Sequence, residues 1–350
     1  MLEDLIRAWD GEEVVVGFDE PSGTWMFVCI HSTRLGPAGG GTRMKPYASP
    51  AEALRDAMNL SEGMTLKMAA AGVPFGGGKA VVAVPELPAG DERRRILLRY
   101  AELAASLGKT FHTGPDVNTS SADMDVIAEK HPYVYCRSQE HGGSGDPGPY
   151  TARGVFHGIR ASARHAYGSD DLSARTVLVQ GVGDVGGPLA EQLAADGARV
   201  LVSDVDGERA RVLATRIGAE LVHPQDAIGA ECDVYAPCAL GGTLNAENVP
   251  RLRCRVVAGC ANNQLAEPED SERLREAGIL YAADFVINAG GVLYAWGTES
   301  LGWDLETVET RLVGIGDTLS EIYAAADSDA IGTHAAAVRL ARSRAQGAGP

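Results

Sequence analysis

Two lysines stand where a charge is costly. Lys79 closes V-P-F-G-G-G-K-A-V-V-A-V, three glycines before it and an apolar strand after it. Twelve residues earlier Lys67 lies in M-T-L-K-M-A-A-A, an equally apolar setting. An ammonium taken out of water must find a counter-charge or give up its proton. Two such lysines suggest an anion clamp beside a base of lowered pKa. The plainer alternative is that each runs its stem along apolar surface and keeps its head in water. The spacing of these two residues does not decide between them.

A second chemical signal follows a strand-like run: T-V-L-V-Q-G-V-G-D-V-G-G-P-L-A-E-Q-L-A-A-D-G-A-R-V-L-V-S-D. Gly181, Gly183 and Gly186 form G-x-G-x-x-G between a strand and an amphipathic helix. The first permits a tight turn, the second lets backbone N–H groups approach a pyrophosphate, and the third lets helix and strand pack closely. Unpaired N–H groups and the dipole at the helix start favour the anion. Asp204 lies 23 residues beyond Gly181, where a carboxylate accepts hydrogen bonds from ribose hydroxyls and repels a 2′-phosphate. The motif therefore predicts a dinucleotide site with NAD favoured over NADP, while Arg209 nearby keeps NADP open. It says nothing of the substrate.

These residues need elements to hold them. E-V-V-V-G-F, the turn D-E-P-S-G and W-M-F-V-C-I-H read as a hairpin, and L-G-P-A-G-G-G at Gly36–Gly41 as a break. Ser49-Pro50-Ala51-Glu52 is a capping box that starts a helix running toward Gly63. A strand carries Lys79, and helices follow at D-E-R-R-R-I-L-L-R-Y and, after T-G-P-D-V-N, at S-S-A-D-M-D. H-G-G-S-G-D-P-G-P, residues 141–149, reads as the connection between domains. Beyond it strands and helices alternate, with strands near Thr176–Gln180, Arg199–Ser203, Val234–Ala236, Arg255–Ala258 and Ile279–Ala282, which implies a parallel sheet covered on both faces. The predicted fold is α/β with two domains. Residues 1–145 form a mixed α/β domain for substrate, catalysis and oligomerisation. Residues 150–320 form a doubly wound Rossmann-type domain. The chain is helical from about Leu305, and a helix within 320–350 is expected to pack back on the first domain.

Composition narrows the partners. The chain has 350 residues and a formal net charge of −16, so a polyanion such as nucleic acid is repelled on average. No run reaches the roughly 18 apolar residues of a membrane span, and the N-terminus M-L-E-D-L-I-R-A-W-D lacks the layout of a signal peptide. Six cysteines without C-x-x-C pairs or matched histidines argue against zinc or a disulfide framework and for a reducing cytoplasm.

At this point a resemblance becomes specific. G-G-G-T-R, M-T-L-K-M-A, F-G-G-G-K-A, T-G-P-D-V-N-T-x-x-A-D-M-D, A-P-C-A-L-G-G-T-L-N and F-V-I-N-A-G-G-V are similar, in order and spacing, to the motif series of the glutamate/leucine/phenylalanine/valine dehydrogenases. The likeness runs over most of the chain. It implies that Lys67 binds a substrate α-carboxylate and that Lys79 activates water as general base, its pKa lowered by burial and by the charge of Lys67. It implies that Asp116 shuttles protons, although T-G-P-D-V-N alone would be a turn aspartate after Pro115. Asn262 would touch substrate and nicotinamide ribose. Gly40, Gly41, Gly114 and Val292 would line the substrate site, and Asn288 would shape the floor of the cleft. The remaining cofactor contacts implied are Arg43, Asp116, Thr151, Val182, Asp184, Val185, Gly187, Val205, Cys238, Ala239, Cys260 and Ala261, with the glycines, Asp204 and Arg209 already named.

The reaction implied is reversible oxidative deamination of an apolar L-amino acid to its 2-oxo acid and ammonia with NAD, by a homo-oligomer whose cleft closes about the glycine-rich linker. No extra cation suits a γ-carboxylate. Members acting on leucine or valine tend to carry larger residues where this chain has Gly39 and Gly114, and Ala295 is also small. That favours phenylalanine, against Val292, which matches branched-chain enzymes; leucine and valine stay open. Two other readings remain: another NAD-dependent oxidoreductase, with His112 the nearest acid/base candidate, and a nucleotide-binding regulatory protein that has lost turnover.

Overall fold

A computed structural model describes residues 2–347. The chain divides into two compact units. The first comprises the chain up to Asp146, Ala295–Gly302 and the C-terminus from Arg344; the second comprises Pro147–Tyr294 and Trp303–Ser343.

In the first unit, helix α1 (Leu2–Ala8) precedes strands β1 (Glu13–Asp19), β2 (Thr24–Ser32), β3 (Ala38–Lys45), β4 (Gly76–Ala83) and β5 (Phe111–Pro115), with helices α2 (Pro50–Ala71), α3 (Gly90–Ala105) and α4 (Ser121–Ala128) between and after them. The strands form one sheet in the order β1-β2-β4-β3-β5. The predicted hairpin β1–β2 and the pair β2–β4 are antiparallel, while β3 runs parallel to β4 and to β5. One face buries Met26, Val28, Met44, Val82 and Phe111 with Ile96, Leu97 and Tyr100 of α3. The opposite face buries Phe27, Cys29 and Val81 under Leu54, Ala57 and Met58 of α2.

Two expectations change here. The run expected as a break is β3 itself, with Gly39, Gly40 and Gly41 inside the strand. And α2 does not stop near Gly63 but continues to Ala71, closed by Gly72 at φ 65°. Both follow from close packing rather than propensity. A Cβ on Gly77 would lie 2.1 Å from Thr65 Oγ1 and 2.2 Å from the Thr65 nitrogen, so bare glycine is what lets α2 lie on the sheet. Gly63 faces the other way, with nothing within 4 Å of its would-be Cβ, and that packing offsets its helix penalty of about 1 kcal/mol. The start of α2 is as read: Ser49 Oγ accepts from Glu52 N at 3.2 Å.

In the second unit, α5 (Gly148–Tyr167) leads into β6 (Thr176–Gln180), α6 (Gly186–Ala195), β7 (Arg199–Ser203), α7 (Gly207–Ile217), β8 (Glu220–Leu221), β9 (Val234–Pro237), β10 (Val256–Val257), α8 (Asp270–Glu276), β11 (Leu280–Tyr281) and α9 (Asp284–Ile287). The six strands are all parallel, in the order β11-β10-β9-β6-β7-β8. This is the doubly wound Rossmann order, and its direction of winding reverses between β6 and β9. The two-residue β8 is not visible in the sequence pattern because it offers no alternation to read.

Helices α10 (Gly290–Ser300), α11 (Leu305–Asp329) and α12 (Thr333–Gly347) complete the chain. Residues 320–343 belong to the second unit, where α11 lies along α5. Gly158 of α5 allows it, since a Cβ there would meet Ile287 at 2.5 Å and Leu319 at 3.0 Å. Ser162 and Tyr323 add a buried hydroxyl pair at 2.7 Å. From Arg344 the helix joins the first unit, and Arg344 donates to the Ala70 carbonyl at the end of α2. The segment expected to connect the domains, residues 141–149, spans the unit boundary between Asp146 and Pro147, and its first part is tied down: Ser144 N donates to Glu299 at 3.1 Å and Gly145 N to Arg137 O at 3.0 Å.

The glycines make opposite predictions. Gly77→Ala should cost about 3 kcal/mol of unfolding free energy through overpacking, whereas Gly63→Ala should stabilise by roughly 0.5–1 kcal/mol. Chemical denaturation of the two variants checks both signs.

Candidate active site

Side chains alternate across a strand, and the parallel register of β4, β3 and β5 sets rows across the face that α2 covers. Gly39 pairs with Gly77 and with His112; Gly41 pairs with Gly114; Thr42 pairs with Ala80, which puts Lys79 beside Gly41. The next row on that face holds Val81 and Arg43, with Asp116 one residue past the end of β5.

Lys79, 6% exposed, forms an ion pair with Asp116 across Gly41. The missing side chain makes the pair possible: a Cβ on Gly41 would lie 2.6 Å from Pro115 O and 2.9 Å from Asp116 Cβ. The turn after β5 fixes the aspartate. Its nitrogen donates to Thr119 Oγ1 at 2.9 Å, the Thr119 hydroxyl donates to Thr42 O at 2.7 Å, and Val117 N donates to Asp116 Oδ1 at 2.7 Å. Asn118 reaches φ 58° there, and its amide donates to Met44 O at 3.0 Å.

Arg43 completes the cluster. Its Nε stands 3.5 Å from Asp116 Oδ2, and its Nη1 reaches Asp56 Oδ2 at 3.1 Å, where the Tyr47 hydroxyl also donates at 2.6 Å. Sequence reading missed Asp56 and Tyr47. The available signal was a carboxylate on the sheet-facing side of α2, in A-L-R-D-A-M.

Burial pushes the Lys79 ammonium below an ordinary lysine; the Asp116 carboxylate opposes this and the Arg43 cation adds to it. Burial alone would raise the Asp116 carboxyl, but the charges of Lys79 and Arg43 override it and hold the group well below the usual carboxylate range. Sequence reasoning gave the role of depressing cation to Lys67; Arg43 is a cation that fills it. Lys67 itself projects from α2, half-buried, between Met64 and Met68, which reach Gly40 and Gly39.

His112 is no acid/base group. Its Nδ1 meets the Tyr135 hydroxyl at 2.7 Å and its Nε2 the Lys109 carbonyl at 3.1 Å, and burial lowers its pKa to about 4. A neutral imidazole with both nitrogens engaged holds β5 in place.

The room that Gly39, Gly114 and Ala295 suggest for an aromatic substrate is filled. The Trp296 indole lies over both glycines, with Nε1 2.9 Å from a Cβ placed on Gly39 and Cη2 3.8 Å from one on Gly114. Gly39 and Gly114 favour phenylalanine only by their own small size, and Trp296 takes up the room they leave.

The second unit holds the nucleotide candidates. Gly181, at φ 97°, turns the chain after β6, and a Cβ there would lie 2.7 Å from that of Ala239. The loop thus packs on Cys238 and Ala239, which follow β9, at the winding reversal where ligands bind in such sheets. A Cβ on Gly186 would lie 1.9 Å from Gly181 O, so only glycine can open α6 here. Gly183 faces space, with nothing nearer than Arg209 at 3.9 Å from its would-be Cβ. A cavity of about 790 Å³ adjoins it, lined by Val182, Asp184, Gly187, Asp206 and Arg209 among others. Asp204 accepts from Val182 N and Asp206 N, each at 2.8 Å, and Val205 beyond it is exposed. Val185 stands at the start of α6.

A second cluster in this unit joins Asn262, Asn288 and Cys260. Asn288 Nδ2 donates to Asn262 Oδ1 at 2.8 Å and to Cys260 O at 3.1 Å. Asn288 Oδ1 is buried with no hydrogen-bond partner among the described residues, an acceptor left for a bound donor such as a carboxamide or ribose hydroxyl. Ala261 N is held by Pro237 O at 3.0 Å, and Gly291 lies against Thr151 Oγ1. These features fit a dinucleotide: an open glycine cradle at a helix start, a carboxylate one strand over, and an orphaned acceptor. The structure thus groups Lys67, Lys79, Asp116, Arg43, Gly40, Gly41 and Gly114 in the first unit. It groups the glycine loop, Asp204, Val205, Arg209, Cys238, Ala239, Cys260, Ala261, Asn262, Asn288, Thr151 and Val292 in the second.

Known proteins share this plan. The profile described as "Glu/Leu/Phe/Val dehydrogenase, dimerisation domain" matches residues 22–133, and that described as "Glutamate/Leucine/Phenylalanine/Valine dehydrogenase" matches residues 142–212 and 208–348. The chain belongs to the Glu/Leu/Phe/Val dehydrogenase family. It is 42% identical to leucine dehydrogenase of Geobacillus stearothermophilus over 343 residues, covering 98% of this chain and 93% of that protein. It is 46% identical to valine dehydrogenase of Streptomyces coelicolor over 356 residues, covering 100% of this chain and 97% of that one. The crystal structure of L-tryptophan dehydrogenase from Nostoc punctiforme superposes with a TM-score of 0.81 at 37% identity, covering 99% and 98% of the two chains. The chain is therefore an amino-acid dehydrogenase, an oxidoreductase acting on a small molecule.

Two outcomes test the geometry. Gly186→Ala should weaken NADH binding at least about thirtyfold, the equivalent of ~2 kcal/mol of overpacking, with the fold kept by circular dichroism. Unchanged NADH affinity by fluorescence titration would contradict the cradle. Asp116 has its pKa depressed in the folded state, so its contribution to stability is complete above about pH 4, the unfolded value, and is lost as pH falls further toward the folded one. Asp116→Asn should flatten the acid limb of stability below pH ~4 by up to about 1.4 kcal/mol per pH unit, measured by urea unfolding at several pH values.

Proposed function

We propose that this enzyme carries out reversible, NAD-dependent oxidative deamination of a branched aliphatic L-amino acid, leucine or valine, to its 2-oxo acid and ammonia. The observation that carries the reading is the buried Lys79–Asp116 pair meeting across Gly41. It offers a lysine with a depressed pKa and an ionised carboxylate in one small space. The leucine and valine dehydrogenases that match almost the whole chain support the substrate class. The bulk of Trp296 over Gly39 and Gly114 supports an aliphatic side chain over phenylalanine.

Lys67 binds the α-carboxylate as a point charge. NAD, held by the glycine loop, Asp204 and the Asn262–Asn288 pair, would supply the acceptor for the hydride that leaves Cα. The iminium that remains is attacked by water, whose proton goes to neutral Lys79. Asp116, ionised at rest, takes a proton from the reacting centre and returns it to nitrogen. The carbinolamine then collapses, the C–N bond breaks, and ammonia leaves from a 2-oxo acid. Loss of one hydride and one proton, the proton that water gives to Lys79, and gain of one water balance the change from amine to carbonyl and ammonia.

Selection of NAD over NADP rests on charge. Asp204 keeps lone pairs for the ribose hydroxyls, while Asp206 and Glu208 line the same cavity. Arg209, a cation there, stands 3.5 Å from Asp206 Oδ2, which spends its charge on a neighbour. A 2′-phosphate would meet mostly carboxylates. A homo-oligomer of the cytoplasm fits the same reading: edge strand β1 leaves Val16 and Phe18 each 46% exposed, an apolar patch suited to a second copy. Among the described residues no helix is long and apolar enough to cross a membrane.

A panel of L-amino acids assayed for NADH formation should give the highest kcat/KM with leucine or valine. Lys79→Ala should lower kcat by about 10³-fold or more while NADH binding persists. For the unsubstituted enzyme, kcat/KM should rise with pH to a midpoint below that of ordinary lysine, about 10.4. Arg43→Met should move that midpoint upward, because it removes a cation that depresses Lys79. Wild-type turnover by Lys79→Ala would refute the assignment.

A further inference from the structure

We propose that Trp296 sets the size limit of the substrate side-chain pocket, taking the place of bulk that the strands themselves lack. The proposal rests on the function proposed above and deepens it. Gly41, Lys79 and Gly114 share one row on the face of the sheet that α2 covers. Neighbouring strands lie about 4.8 Å apart, so Gly114 is roughly 10 Å from Lys79 across Gly41. An amino acid bound at the catalytic pair fits within that span when its side chain points along the row. The side chain ends where the row meets the indole, 3.8 Å from a Cβ on Gly114.

Gly39 lies one repeat along β3 from Gly41 on the same face, about 7 Å away. A Cβ there would come within 2.9 Å of both Trp296 Nε1 and Met68 Cε. The strand residue and the indole therefore exclude one another: a larger residue at 39 needs a smaller one at 296, and the reverse. This chain has taken the second solution. The indole is 5% exposed and held by ring packing, with Tyr135 at 4.8 Å and Phe75 at 6.4 Å between centroids. Its Nε1–H has no hydrogen-bond partner among the described residues, so shape rather than a polar anchor fixes it. An apolar wall held by packing alone can be replaced by another apolar side chain without stranding a polar group, so side-chain size is what the substitution tests.

The test is the ratio of kcat/KM for L-phenylalanine over L-valine. Trp296→Leu, with NADH affinity unchanged, should raise that ratio by about tenfold or more, the scale of discrimination that bulk in an apolar pocket provides. Moving the bulk back to the strand, in the double variant Gly39→Leu/Trp296→Ala, should return the ratio to within about threefold of the unsubstituted enzyme. A folded Trp296→Leu enzyme whose ratio stays within about twofold overturns the inference. If that variant does not fold, the double variant decides: aliphatic preference supports the proposal, and a tenfold gain for phenylalanine overturns it. An unsubstituted enzyme that turns over no aliphatic or aromatic amino acid overturns the function itself, and the inference with it. Turnover with an unmoved ratio overturns the inference alone.

Discussion

The first unit is organised around one electrostatic problem, the burial of an ammonium and a carboxylate side by side. A buried ion pair contributes little to stability, because desolvation of both charges offsets most of their attraction. Its value here is chemical. Burial lowers Lys79, its neighbours Asp116 and Arg43 pull in opposite directions, and the carboxylate stays ionised between two cations. The local structure serves this balance. Gly41 clears the space, Thr119 and Asn118 fix the turn, and Asp56 with Tyr47 holds Arg43 from behind.

The glycines have one cause and several consequences. Gly77 admits α2, Gly41 admits the Lys79–Asp116 contact, and Gly39 admits an indole. Each absent Cβ is filled by something else, so a glycine-rich strand is packed rather than loose. This explains why counting small residues misjudges a pocket. Space freed by one residue belongs to whichever neighbour reaches it first, and here Trp296 does.

Much of the fold is legible in the amino-acid sequence alone. The β1–β2 hairpin, the capping box of α2 and five of the six parallel strands of the unit with G-x-G-x-x-G follow from local rules about alternation, caps and turns, and the structure carries them. Legibility fails where tertiary contacts override propensity. Gly36–Gly41 reads as a break because glycine is a poor strand former, yet Gly39–Gly41 lie within β3, held between β4 and β5. Gly63 reads as the neighbourhood of a helix end, yet α2 runs on because its other face is buried. A helix within 320–350 is expected on the first domain; α11 lies along the small residues of α5 in the second unit, and the chain from Arg344 belongs to the first.

For the site the division is the same. Residue types by themselves suggest an anion clamp beside a base at Lys67 and Lys79, with the family resemblance assigning which does which, and mark Gly181–Gly186 with Asp204 as a dinucleotide cradle, since burial cost and backbone geometry are written in local sequence. Which cation stands beside Lys79, what anchors that cation, and what fills the room over Gly39 cannot be read there, because Arg43, Asp56 and Trp296 are brought together by register and helix packing from distant parts of the chain. The sequence by itself determined that Lys79 lies in an apolar setting where its charge is costly, and left open whether its head reaches water. Only the tertiary structure decided that this lysine lies against Asp116 with Arg43 nearby and that Trp296 lies over Gly39 and Gly114, because both depend on distances between residues that the chain itself keeps far apart.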